Sequence, residues 1–483
     1  MAAGSRDTAL AAAAVLRAGG NAVDAALGGT LAACVSEVVF TSLGGGGFLM
    51  LHPPGADSAV LDFFVNTPGL GASPTEDEEP EFTPVTLRYP GKEQVFHVGP
   101  GSVAVPGALA GFLQAHRDHG RADIATVVAP AIELARTGAV LEPIQATVLD
   151  LVREIMSLTE ECSRLISTPR GHAVAGDLLH NEDFARFLRR VGEGEITSLT
   201  SLPFADPLLD LMTHTSGHVT PEDLARYEVM LREPLHVERN GYLIDLNPPP
   251  AFGGVIVAEA LERLPVVDGS TAGWASAVAA LRAATESGRV ADMAADTPAV
   301  KEGTTHISVV DADGLVVSMT TSNGAGSGVV QPGTGIHLNN MLGEEDLNPA
   351  GFHSLPAGIR MGSMMAPIIV TAPDGTVTGL GTGGSERIRS ALLLSVLRLV
   401  DLGAPVDMAV GAPRLHPDTE GVQLEPGWDA SVVETLRGAE PVNVWPAANL
   451  FFGGVHAVSR RPDGSVIAVG DSRRSGAAVV VPV

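Results

Sequence analysis

GTTHISVVDADGLVVSMTTSNGAGSGVVQPGTGIHLNN, residues 303–340, decides how the chain is read. Apolar and polar side chains alternate over 305–309, Asp311-Ala312-Asp313-Gly314 supplies a tight turn, and alternation resumes over 315–320. That is the pattern of a two-stranded hairpin, and the polar, Gly/Ser-rich run that follows reads as a loop. Gly303 is followed by two hydroxyl side chains, Thr304 and Thr305, which open the first strand. Threonines are ordinary strand formers, and a Thr hydroxyl is a poor nucleophile unless a base stands beside it. A Thr that becomes N-terminal by chain cleavage brings its own base, because an α-amine titrates near 8, about two units below a Lys.

Outward from this hairpin the chain alternates helices and strands. Residues 9–19 read as a helix stopped by Gly19-Gly20, and 23–35 as a second helix. The region 125–201 is helical and amphipathic, and a polar, Ala-rich stretch, 268–303, separates the halves. Strands are expected at 366–372, 377–381, 455–460 and 465–469, with a helix at 386–402 among them. Gly44 to Phe48, GGGGF, lacks the Lys-Ser/Thr of a phosphate loop and reads better as a place where backbones approach closely. Pattern alone gives a mixed α and β protein.

Composition narrows the partners. The net charge is −26 and the pI about 4.8, which argues against nucleic acid or an anionic membrane. The dense acidic run from Glu76 to Glu81 reads as a solvated loop. Hydrophobic content of 45% gives a globular chain, and no segment offers the uninterrupted apolar run of a membrane span. Cys34 and Cys162 lack metal-ligand spacing and read as free thiols of a reducing compartment. No metal or cofactor is expected, and the location expected is cytoplasmic, since the Ala-rich start runs into the ordered blocks with no leader left over.

Ten blocks in one order carry a resemblance. They include AGGNAVDAALGGTLA (18–32), SLGGGGFLMLH (42–52), GSVAVPGALAGF (101–112), PEDLARYEVMLREPL (221–235), PGTGIHLNNM (332–341) and GTGGSERI (381–388). With them the chain resembles the gamma-glutamyltranspeptidase family of N-terminal nucleophile hydrolases. The resemblance implies an α+β fold, a four-layer αββα sandwich. It implies a precursor that cuts itself before Thr304 into a large piece, 1–303, and a small piece, 304–483, which together form one domain. Residues 268–303 would then be loosely held or extended before the cut.

The resemblance also implies roles. Thr304 is the expected nucleophile. Gly383 and Gly384 match the glycine pair whose N–H groups face the oxyanion. Ser322 matches the hydroxyl that bonds the nucleophile, with Thr320 or Thr321 as alternatives because the loop is two residues short. Asn323 and Ser363 match substrate contacts, while the first of the family's paired serines is Gly362 here. His306 reads as packing.

The recognition of substrate departs from the family. Its Asp-Phe-Arg-Glu block, whose Arg holds an α-carboxylate, is Asp62-Phe63-Phe64-Val65 here. Phe64 has no means of pairing a carboxylate, although Arg360 or Arg387 could replace the cation from another loop. Of the family's acid pair, the first position is Met341 and the second is Glu344. These changes imply a small molecule other than a simple gamma-glutamyl compound, of the kind handled in secondary metabolism. Three readings stand: amide hydrolysis or acyl transfer; hydrolysis of a carbon–carbon bond, as in transpeptidase-like enzymes of alkylproline antibiotic biosynthesis; and an uncut, non-catalytic binding protein. The partners implied are that substrate and the two pieces of the chain itself, with dimerisation of the processed pair left open.

Overall fold

The computed structural model describes residues 1–72, 82–89, 92–296, 299–300, 303–343, 352 and 354–482. The acidic run at 76–81 and Glu344 lie outside the described residues. The hairpin forms as the alternation requires, with strands Thr304–Val310 and Val316–Ser322 antiparallel and Thr304 directly opposite Ser322. Asp311 closes the turn by accepting from the N–H groups of Gly314 and Leu315.

This hairpin is the middle of a seven-stranded sheet. On one side Val316–Ser322 pairs with Gly46–His52, which pairs with Ala59–Asp62. On the other, Thr304–Val310 pairs with Ala2–Ala3, and that strand with Ala477–Ala478. A second, six-stranded sheet runs Leu235–Arg239, Tyr242–Leu246, Ile368–Thr371, Val377–Gly383, Gly454–Arg460 and Val466–Val469. Its central strands pack face to face on the hairpin.

Helices cover both outer faces, which completes the four-layer αββα sandwich. Ala22–Ser36, buried along its whole length and capped by Asn21 and Asp24, lies on the first sheet. Phe252–Arg263 and Arg387–Val400 lie on the second. A helix buried all round carries no amphipathic stripe, so small side chains such as Gly28 and Gly29 set its approach to the layers.

The stretch 268–303 departs from the expectation of loose or extended chain. It contains the helices Thr271–Thr285 and Gly288–Asp296. Ser270 accepts from the Gly273 N–H at the first N-terminus, and Trp274, Ala277, Val278 and Leu281 are buried against the second sheet's helical layer. Alanine's helix propensity and this apolar stripe outweigh the polar residues between them. Among the described residues no helix is long and apolar enough to cross a membrane, and no metal-holding cluster of His, Cys, Asp or Glu is assembled. Both cysteines are free and buried, and burial pushes their thiols up to about 12.

Candidate active site

Strand geometry divides the hairpin into two faces. His306 points between the sheets, where a Cβ on Gly381 would lie 2.3–2.4 Å from its ring, so Thr304, two residues earlier, shares that face. Thr305 points the other way, to the helical layer, and its hydroxyl donates to Glu37. His306 is held by the hydroxyls of Thr320 (2.8 Å) and Ser308 (2.8 Å), and burial drives its pKa well down. It is a neutral packing residue, as expected.

Gly303 sets the junction. Its φ is +61°, and a Cβ there would lie 1.6 Å from the Gly324 carbonyl oxygen, so only glycine fits this approach. The Ser322 hydroxyl donates to the Gly303 carbonyl at 2.5 Å. The alternatives to Ser322 are engaged elsewhere: Thr320 on His306, and Thr321 with Thr41 at 2.8 Å. The GGGGF run does what close packing asks of it. A Cβ on Gly45 would meet the Ser322 carbonyl oxygen at 2.0 Å.

Gly383 ends the strand Val377–Gly383 directly over this junction, and a Cβ on it would lie 2.1 Å from the Thr304 carbonyl oxygen. Gly384 (φ +139°) and Ser385 (φ +58°) turn the chain into the helix Arg387–Val400. Positive φ is costly for serine, so the turn continues one residue past the glycines the sequence singles out. Asn323 lies between Ser322 and Gly324, both of which touch Gly303, and its side-chain amide donates to the Leu338 carbonyl at 3.3 Å. Ser363 is buried, its hydroxyl accepting from Met365 N–H at 3.1 Å, and its strand Gly362–Ser363 pairs with Ala299–Val300, just before the junction.

Phe64 and Met341 do come together. Both are fully buried in one apolar cluster with Phe48, Met361 and Met365, and Phe64 stacks on Phe48 with centroids 5.8 Å apart. Arg360 does not stand free in place of the missing cation. It donates to Asp62 Oδ1 at 2.8 Å, to the Asp62 carbonyl at 2.9 Å and to the Glu228 carbonyl, and lies over the Tyr227 ring. Asp62 is shared with Arg232 at 2.7 Å.

Two charged residues that the sequence reading missed border the start of the strand Thr304–Val310, one at Thr304 and one at Thr305. Arg474 is half-buried and donates from Nη1 to the Thr304 carbonyl oxygen at 3.3 Å. Its guanidinium lies 5.3 Å from the Phe40 ring centroid, its Nε is unpartnered among the described residues, and burial lowers its pKa to about 10. It reaches this place across Gly454, where a Cβ would meet its side chain at 2.7–2.8 Å. Glu37 lies beyond Thr305 and also accepts from Thr8 at 2.6 Å. Burial raises its pKa, against the pull of the Thr305, Thr8 and Ser5 hydroxyls and the Arg474 charge. Glu37 precedes the glycine run and Arg474 ends an Asp471-Ser472-Arg473-Arg474 turn, but nothing local in either stretch announces a partner so far along the chain.

Known proteins match along this whole arrangement. The sequence model of the gamma-glutamyltranspeptidase family matches residues 8–299 and 282–481. The acylase ACY 1 proenzyme of Pseudomonas sp. (strain V22) is 29% identical over 97% of this chain and 90% of its own length. The glutathione hydrolase proenzyme of Bacillus subtilis (strain 168) is 27% identical over 96% of this chain and 88% of its own. Among solved structures, cephalosporin acylase from Bacillus halodurans superposes with a TM-score of 0.82 at 24% identity, covering 100% of this chain and 96% of its own. LmbA2991HD does so at 0.81 and 23%, covering 99% and 97%. The αββα layering and this match together place the chain in the gamma-glutamyltranspeptidase family, as a hydrolase or acylase type of enzyme.

Proposed function

We propose that the chain is a self-processing N-terminal Thr hydrolase or acyltransferase acting on a small molecule that is not a simple gamma-glutamyl compound. The observation that carries the reading is the junction itself: a Gly303 carbonyl held by Ser322, in a cradle only glycine fits, immediately before Thr304.

In the uncut chain the Thr304 hydroxyl attacks the Gly303 carbonyl carbon. A carbon–oxygen bond forms, the carbon–nitrogen bond breaks, and the proton passes from the hydroxyl to the freed α-amine. Water then hydrolyses the ester, which leaves a carboxylate on Gly303 and a free Thr304. In turnover the same hydroxyl attacks the substrate carbonyl while the α-amine takes its proton and returns it to the leaving group. The N–H groups of Gly383 and Gly384 receive the charge on the carbonyl oxygen, and water releases the acyl group. Asn323, Ser363 and Glu344 are proposed to hold the substrate, with Phe64 and Met341 closing the place where a carboxylate-binding Arg would stand. A carbon leaving group in place of an amine fits the same steps, so cleavage of a carbon–carbon bond beside a carbonyl, in alkylproline-type biosynthesis, is the second reading.

The test is a denaturing gel with intact-mass measurement. Wild type should give pieces of 303 and 180 residues out of 483, and Thr304→Ala a single uncut chain. An active wild-type chain that stays whole would overturn the proposal.

A further inference from the structure

In the first turn of the helix Arg387–Val400 stands a buried arginine with no hydrogen-bond partner among the described residues. Arg389 is only 7% exposed, and its Nε is enclosed and unsatisfied. The other buried arginines are engaged: Arg239 on Asp401, Arg414 on Asp471, Arg473 on Glu425, and Arg398 on the Pro413 carbonyl. A guanidinium taken out of water without acceptors loses its hydration and gains nothing in return. The two Nη groups, unlike Nε, are not enclosed, so the tip of the fork is the end that meets solvent.

Three elements surround it. The helix Arg387–Val400 packs on the strand Leu415–Asp418, and so does the helix Thr271–Thr285 from before the junction. The charges that face Arg389 are Glu386 and Arg387 beside it, Arg282 on the second helix and Asp418 on the strand. Arg282 is spent on Glu440 and on the Asp418 and Gly421 carbonyls, and Arg387 donates from Nε to the Phe451 carbonyl at 3.2 Å. Asp418 Oδ1 accepts from the Glu420 N–H at 2.9 Å, and neither Asp418 nor Glu386 accepts from Arg389. His416, buried and neutral, is joined through Nδ1 to the Ser390 hydroxyl at 2.9 Å. Acids and guanidinium groups balance here in number, so a missing acceptor, and not an excess of charge, sets the place apart. A helix N-terminus favours negative charge, and the side chain of Glu386 makes no capping bond to this one.

We propose that Arg389 anchors a binding site for a small oxoanion, held by its Nη fork at the start of this helix. Two parallel N–H donors fit two oxygens of a phosphate, a sulfate or a carboxylate. The bound anion supplies the acceptor that the protein withholds, and it shields Arg389 from the like charges of Arg387 and Arg282. Occupancy therefore strengthens the meeting of two helices that lie on opposite sides of the junction in sequence. The site is the same in a whole or a cut chain, and it stands apart from the Thr304 reading.

The test is thermal melting of the full-length protein titrated with sodium phosphate, ionic strength being held constant with sodium chloride. The wild-type melting temperature should rise saturably, as one-site binding requires. Arg389→Met keeps the bulk without the fork and should weaken phosphate by at least about tenfold, while Arg389→Lys, which keeps the charge, should weaken it by less. In phosphate-free buffer Arg389→Met should melt no lower than wild type, since it removes an unpaired buried cation. Sulfate and acetate, titrated in the same way, separate the sources: a preference for phosphate and sulfate marks a tetrahedral oxoanion, and a preference for acetate marks the carboxylate end of a small molecule. A rise that fails to saturate, or that persists undiminished in Arg389→Met, overturns the site, because anions excluded from protein surfaces stabilise without binding. Titration calorimetry of wild type with phosphate, sulfate and acetate gives a measurement that needs no variant, and the absence of saturable heat with all three overturns the site as well.

Discussion

Gly303→Ala is the sharpest perturbation of the junction. The added methyl carbon would sit 1.6 Å from the Gly324 carbonyl oxygen and 2.6 Å from its carbon, both backbone atoms with no side-chain freedom to withdraw. An ordinary carbon–oxygen contact is about 3.3 Å, so the two segments must part by roughly 1.5 Å or more. The φ of +61° adds a cost of about 1–2 kcal/mol for any residue with a Cβ. Ser322 is carried on the strand opposite and holds the Gly303 carbonyl at 2.5 Å, so a displacement of that size breaks the contact and misaligns Thr304. Misplacement by about 1 Å in a reacting pair costs on the order of a hundredfold in rate. Self-cutting of Gly303→Ala, followed by intact mass over time after rapid purification, should therefore be at least about a hundredfold slower than wild type. Circular dichroism should stay unchanged, because the sheets do not depend on this bond. A Gly303→Ala chain that cuts within a few-fold of the wild-type rate would refute the reasoning, since the cradle would then play no part in cleavage.

Ser322→Ala removes the hydroxyl donor without adding bulk and should slow cutting by about tenfold or more, checked on the same gels. Arg474→Gln removes a positive charge next to Thr304, one that is itself faced by Arg387, Asp471, Glu37 and Arg414, with neutral His306 and His456 between the sheets. With that repulsion gone the Thr304 α-amine should hold its proton more tightly, and the acid limb of kcat/KM for the cut enzyme should move up by about one unit; an unmoved limb would place Arg474 outside the electrostatics of the amine. Acid should also destabilise the fold: burial lowers His337 and His456 from 6.5 to about 4, so they stay neutral when folded and take up protons when unfolded. Their contribution is complete above about pH 6.5 and lost as pH falls towards 4, at most about 3 kcal/mol each, and a melting temperature that stays flat between about pH 6.5 and 5 would contradict it. Phe64→Arg would bury a guanidinium among Phe48, Met341, Met361 and Met365 and should lower the melting temperature by several degrees; an unchanged value would mean that the cluster opens to solvent.

The hairpin was legible because alternation and turn chemistry act within a few residues, and Asp311 announces its own turn. The four layers were not readable from pattern; they came with the family resemblance, since periodicity says which face is buried but not against what. The 268–303 stretch was misread because its position beside the junction was weighed above the alanines and the Ser270 cap, which act locally and win. Thr304, Ser322 and the glycines near Gly383 stood out as motif. Arg474 and Glu37 did not, because each meets the hairpin through a contact made across 170 and 268 residues respectively, and a single charged letter carries no trace of that. The left-handed Ser385 was hidden for a related reason: the neighbouring glycines seemed to account for the whole turn.

Strand order has a further consequence for the life history of the molecule. In the first sheet, strands from before the junction (230–232, 59–62, 46–52 and 2–3) pair with strands from after it (316–322, 304–310 and 477–478) at three places. As long as the chain is whole, folding is a one-body event whose outcome does not depend on concentration. Once the junction is opened, the same contacts hold two polymers, and recovery from unfolding becomes a second-order encounter between strangers. A melted sample of processed protein should thus fail to return on dilution while an uncut variant returns; the proposed cut would then work as a ratchet, giving the chain one unassisted opportunity to fold and leaving it to persist afterwards by the slowness of coming apart.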